Sequence, residues 1–403
     1  MDGGGRDVLI TGVGLASSLG ADTQEHVARL SDGIPGCVVE ETRFAPYCVH
    51  PLAPLDFSRQ IAKKSDLKQM ETWQRLGVYA AGLALVDAGV ADNSELLDQT
   101  HLIVAAGSGE RDIAVDCEVL DKLSHDQDST VLAKQVLPSA LRPTLFLAQL
   151  SNMLAGNISI VHGVTGSSRT FMGEEVAGLA AIENAYRRIA AGQTDLVLVG
   201  GALNAEREDL LLGFELGHNL WRGSYAPVWD RAQPGGGFVP GSVGAFLVLE
   251  AREHAMARGA DAYARLVEVV TGRCDRSKGS TTRSLTRLYQ SLRTEPKGPL
   301  CVLSGASGVE PATSEEVEFI RTLPVPETEL VVRAFGSALG YGVEAQFPAG
   351  VALAALVARH KYLPPASGNS QIEQPAGLTA DSVLVTCVGH WRGEGLALIE
   401  ATV

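Results

Sequence analysis

The groups in this chain that could do chemistry are six cysteines, nine histidines and a pair of adjacent glutamates. The cysteines are Cys37, Cys48, Cys117, Cys274, Cys301 and Cys387, and no two have the Cys-x-x-Cys spacing of redox and zinc sites. No His-x-x-x-His occurs either, so no helix face offers a ready pair of metal ligands, and neither a metal nor a cofactor is expected. Glu174 and Glu175 are adjacent, and adjacent side chains on a helix face different ways, so they are not a catalytic acid pair. His390 has no second ligand near it in sequence and reads as structural, with a base or metal ligand as the alternative. Ser307, in Gly305-Ala306-Ser307-Gly308, lacks the spacing of a Gly-x-Ser-x-Gly nucleophile turn. Gly12-Val13-Gly14 follows the apolar run Val8-Leu9-Ile10-Thr11 and reads as a buried strand entering a tight turn. As a phosphate loop it lacks the third glycine and a clear acid about 20 residues on.

The elements that must position these groups alternate in type. Short β-rich runs recur at Leu102–Ala105, Leu196–Val199, Phe246–Leu249, Cys301–Leu303 and Val383–Val385. Helical periodicity lies between them, over Leu76–Ala91, interrupted near its end by Gly89, and over Glu174–Ala191, stopped by Gly192. Alternation of this kind predicts an α/β protein with a parallel or mixed sheet. The stretch from Ile103 to Gly109 resembles that from Val302 to Gly308, and Asp195–Gly201 resembles Asp381–Cys387, as in a chain of two similar halves. The 403 residues suit two or three domains or one duplicated unit. A formal net charge of −14 argues against nucleic acid and anionic membranes, which need a positive surface. No apolar run reaches the roughly 18 residues of a membrane span, and the first seven residues carry two acids against one base, unlike a secretory leader. A cytoplasmic protein with reduced thiols is expected.

Several blocks together resemble the β-ketoacyl-acyl-carrier-protein synthases of type II. They are Val8–Gly14; Pro227-Val228-Trp229-Asp230 with Gly237-Phe238-Val239-Pro240-Gly241 and Leu247-Val248-Leu249-Glu250; and Glu253-His254-Ala255-Met256-Ala257-Arg258-Gly259-Ala260. The likeness runs nearly end to end. It implies a thiolase-like α/β fold of two duplicated βαβαβαββ halves in five αβαβα layers, with the halves at residues 1–250 and 251–403.

The family's chemistry uses one cysteine at a helix N-terminus and two histidines. None aligns with an intact group here. Gly166 through Gly178 matches the nucleophile segment without a gap and puts Glu175 at the cysteine position. The nearest cysteine, Cys117, is 58 residues away (175 − 117), too far for a register slip. Anchored on Pro311, the first histidine block puts Ala306 at the histidine position; Gly336–Gly342 puts Ser337 at the second. The family's late pocket-gating turn corresponds to Gly389–Glu394, where small residues have become Trp391 and Arg392.

Within the family, chain-length factors are the ketosynthase β-subunits that have lost the nucleophile. The stretch Gly173-Glu174-Glu175-Val176-Ala177-Gly178-Leu179 is similar to their helix start, with glutamate where they often carry glutamine. The resemblance implies a non-catalytic subunit paired with a cysteine-bearing ketosynthase in fatty-acid or polyene/polyketide biosynthesis. Acyl carrier protein would reach the pair through the partner. Phe171 and Met172 would then sit near the end of an acyl tunnel at the dimer interface, with Glu175, His390, Trp391 and Arg392 around the old pocket. Arg187 and Arg188 form a local basic patch that could meet a carrier protein. Two alternatives stand beside this reading: an acyl-thioester decarboxylase or hydrolase using Glu175 or His390, and a homodimeric acyl-binding scaffold.

Overall fold

A computed structural model describes residues 5–31, 37–125, 130, 134, 137–141, 143–231, 235–368, 370–373 and 380–402. Its strands are β1 (Val8–Ala16), β2 (His101–Ala105), β3 (Ser168–Phe171), β4 (Leu196–Leu203), β5 (Val243–Ala251), β6 (Ala264–Gly272), β7 (Leu300–Ser304), β8 (Leu330–Ala334), β9 (Ser382–Val388) and β10 (Glu394–Ala401). They join in the order β3-β2-β4-β5-β1-β6-β10-β9-β7-β8. The second five strands repeat the first five in mirror order about the β1–β6 junction. In each half the outer strands are parallel, β2 with β3 and β4, β7 with β8 and β9; the inner ones are antiparallel.

Strand alternation explains the layering. On β4 and β5, Leu196, Leu198, Phe246 and Val248 face one cluster, with α1 (Thr72–Asp87) and α2 (Asn152–His162). The intervening Val197, Val199, Leu247 and Leu249 face another. That central cluster also takes Val383, Val385, Ala397 and Ile399 from the second half. Between them lie α3 (Glu174–Ala190) and a late apolar helix, Gln346–His360. A third cluster packs Ser280–Gln290 and Ala312–Arg321 on the far face, through Leu285, Phe319 and Ile320. The result is the five-layered thiolase-like α/β fold. Among the described residues no helix is long and apolar enough to cross a membrane.

Two local readings are corrected. Gly12 and Gly14 are not in a turn: β1 runs through them, with a bulge between Ile10 and Gly12. Their glycines serve close packing, since a Cβ would lie 2.4 Å from the Ala84 carbonyl oxygen at Gly12 and 2.0 Å from that of Ala80 at Gly14. The helix read as Leu76–Ala91 is Thr72–Asp87. It starts earlier through a Glu71/Gln74 capping box, and it stops earlier because Gly89, at φ +66°, closes it with Val90 N–H donating to the Leu85 carbonyl.

Candidate functional site

The chemistry-bearing positions gather where β2 and β3 end and α3 begins, the edge at which parallel α/β sheets bind ligands. A cleft of about 460 Å³ opens there, lined by Gly107, Met172, Glu175, Phe238, Glu344 and Trp391 among others. The chain turns into α3 through Gly173 at φ +131° and Glu174 in the left-handed region at φ +51°. Glu174 is thereby exposed at the rim of the cleft, whereas Glu175 is only 3% exposed.

Glu175 Oε1 accepts a hydrogen bond from the backbone N–H of His390. The carboxylate therefore occupies this backbone donor beside the N-terminus of α3. The His390 ring lies 5.5 Å from Phe238 and 5.2 Å from Tyr341, near-parallel to both. Its Nε2 is 2.8 Å from Ser307 Oγ. Burial pushes its pKa down, against the pull of Glu175, so the imidazole is neutral. The 3.7 Å approach of its Nδ1 to Glu175 Oε1 is then a polar contact and not an ion pair.

The other family positions lie elsewhere. Ala306 packs in the apolar cluster with Val228 and Trp229. Ser337 Oγ accepts the Val228 N–H at 3.0 Å, and its carbonyl accepts the Tyr225 hydroxyl. Ser337 lines a separate, mainly apolar cavity of about 240 Å³ with Phe335, Leu339 and Leu353. Of the three aligned positions only Glu175 reaches the cleft. Cys387 comes within 4.0 Å of the Glu175 carbonyl, but burial raises its thiol well above the usual range, so it carries no thiolate there.

Of the remaining sequence candidates, Trp391 is 60% exposed and lines the cleft, and Met172 is 67% exposed beside it. Arg392 is exposed and attracts Glu174, whose carboxyl burial pushes up; Phe171 is half-buried against the central core. Arg187 and Arg188 lie in the last turn of α3, about 18 Å along the helix from Glu175, so they do not border the cleft.

Two features escaped the sequence reading. Glu344 is 7% exposed and lines the cleft. Gly107 makes room for it, since a Cβ there would lie 2.4 Å from Glu344 Oε1. Burial, with added repulsion from Glu175 and Glu174, pushes its pKa up to about 7. Its signal was a lone carboxylate opening an apolar stretch that runs to Val357. Arg276 pins the 389–394 turn from outside: Nε donates to the Gly389 carbonyl at 2.9 Å, Nη2 to that of Gly393 at 2.7 Å, and Nη1 to Glu394 Oε2 at 2.7 Å. No local pattern reports a contact 118 residues apart. Because Glu394 is wholly buried, Arg276→Ala is expected to cost about 3 kcal/mol in urea unfolding, with Arg276→Lys losing less. A loss below about 0.5 kcal/mol would mean that the turn holds without this clamp.

The fold is thiolase-like, and the comparisons with known proteins narrow it. Residues 5–255 match the family model "Beta-ketoacyl synthase, N-terminal domain". The chain belongs to the β-ketoacyl synthase family. It is similar to the 3-oxoacyl-[acyl-carrier-protein] synthase 2 of Vibrio harveyi, 29% identical over 271 residues, and of Vibrio cholerae, 30% identical over 271. Each match covers 65% of this chain, and the chain spans only 62% of the length of those relatives. Among solved structures, the ishigamide ketosynthase/chain length factor superposes with a TM-score of 0.81 at 20% identity, over 99% of this chain and 100% of that one. A β-ketoacyl synthase from Burkholderia phymatum does so at 0.80 and 19%, with the same coverage. At these identities the superpositions speak to the fold alone.

Proposed function

We propose that the chain is the non-catalytic, chain-length-factor-like subunit of a ketosynthase heterodimer, acting in fatty-acid or polyene/polyketide biosynthesis. One observation carries the reading: the nucleophile position holds a buried carboxylate that occupies the His390 N–H. A carboxylate cannot form the thioester through which a ketosynthase holds its acyl chain. Neither Ala306 nor Ser337 supplies an acid or base to the cleft. The reading takes the chain as two halves, residues 1–250 and 251–403, in the cytoplasm, with acyl carrier protein served by the catalytic partner.

An edge is available for such a partner. β3 is the outermost strand and pairs only with β2 among the described residues. Beside it Met172 and Ile160 are each two-thirds exposed, an apolar border on an open strand edge. Phe171 and Met172 would lie against the shared tunnel and set its length. Solved relatives include an acyl carrier protein in complex with its ketosynthase, bound to a hexaketide.

Co-expression with a cysteine-bearing ketosynthase from the same gene neighbourhood tests the reading. A 1:1 complex is expected by size exclusion and native mass spectrometry. Recovery of the two chains only as separate species would overturn it.

A further inference from the structure

The cavity beside Ser337 runs against the charge of the chain. The protein carries a formal net charge of −14, yet this lining holds Arg29 and Arg333 and, among the described residues, no aspartate or glutamate. Arg333 is only 3% exposed. Its Nε donates to the Pro364 carbonyl at 2.6 Å and its Nη1 to that of Val332 at 2.7 Å, so carbonyls and not a carboxylate take these protons. Glu373 attracts the guanidinium from beyond ion-pair distance, and its carboxylate is committed to the Trp229 indole N–H and the backbone N–H groups of Ala334 and Ser367. Arg29, on the helix Thr23–Ser31, is exposed and makes no ion pair among the described residues. Ser337 Oγ accepts the Val228 N–H and keeps its own proton to donate. The other walls are apolar, through Leu19, Phe335, Leu339, Leu353 and Pro365.

A buried guanidinium with no carboxylate on it, set in an apolar cavity, recognises both ends of one kind of molecule: an anionic head on an aliphatic tail. The volume of about 240 Å³ lies below the range of about 300–1,000 Å³ for drug-sized ligands, so the tail is short. We propose that this cavity binds a short-chain aliphatic carboxylate, its head held by Arg333 and Arg29 and its tail against Leu339 and Leu353. The site is separate from the Glu175 cleft, since the two linings share no residue. The proposal concerns the chain alone and does not rest on a heterodimer.

Hexanoate, butyrate and 1-hexanol separate the head from the tail. In calorimetric titrations of the full chain at pH 8 and constant ionic strength, hexanoate is expected to bind at least about tenfold more tightly than 1-hexanol, which lacks the charge. Butyrate, two methylenes shorter, is expected to bind about tenfold more weakly than hexanoate. Arg29→Ala, a change at an exposed position, is expected to weaken hexanoate about threefold and to leave 1-hexanol unchanged. Trp391→Ala, in the other cleft, is expected to leave hexanoate binding as it is. Equal affinity for hexanoate and the alcohol would overturn the proposal, as would hexanoate binding untouched in Arg29→Ala. So would its loss in Trp391→Ala, which would move the site to the Glu175 cleft.

Discussion

A Glu175→Cys variant is expected to take up one acyl group and then stop. The new thiol would sit in the first turn of α3, where the helix dipole favours thiolate, and removing the carboxylate frees the His390 N–H. Both changes favour thioester formation, so a mass increase of one acyl unit is expected after incubation with acyl-carrier protein. Condensation needs more. General acid or base catalysis contributes about 10²–10⁴ for each group, and the two aligned histidine positions supply none. Ala306 is buried in an apolar cluster, and Ser337 is engaged with Val228 outside the cleft. The remaining carboxyl groups, Glu174 and Glu344, oppose entry of a malonyl group. Formation of 3-oxoacyl product is therefore expected at least about 10⁴-fold below that of an intact ketosynthase assayed alongside. Product within tenfold of the intact enzyme would show that another cleft group, His390 foremost, does the missing work.

The second large effect concerns stability. Glu344 has a folded pKa of about 7 against the ordinary 4.5 for glutamate. Burial favours the neutral acid, and Glu175 and Glu174 add to it while Arg207 opposes. The folded protein therefore binds this proton more tightly than the unfolded chain. Its contribution is fully present below about pH 4.5 and is lost as pH rises through about 7. The difference corresponds to about 3 kcal/mol of destabilisation above pH 7. Glu344→Gln keeps the shape and removes the titration. The variant is expected to match the parent near pH 4.5 and to exceed it by about 3 kcal/mol at pH 8 in denaturant unfolding. A difference that does not change with pH would mean that Glu344 titrates in the folded protein as it does in the unfolded chain.

Features with local causes were legible in the sequence. The helix expected over Glu174–Ala191 is Glu174–Ala190, and its stop at Gly192 works as read, at φ +69°. The strand runs were found because each is apolar on both faces, packed between helix layers. What failed depends on distant partners. Gly12 and Gly14 look like a turn until the carbonyls of Ala80 and Ala84 are seen pressed against them. Glu344, Tyr341 and Arg276 meet the nucleophile position, the histidine ring and the gating turn only through the fold. The resemblance put Glu175 at the cysteine position; that its donor on His390 is the backbone N–H and not the ring is seen only in the fold.

The claim that the acyl chain is never carried by this subunit is open to one direct measurement. The 1:1 complex with a catalytic ketosynthase is incubated with excess acyl-carrier protein, and each subunit's intact mass is read. The account expects the partner alone to gain one acyl group, with this chain unchanged. A stoichiometric acyl adduct on this chain would contradict it, and peptide mapping would then name the nucleophile.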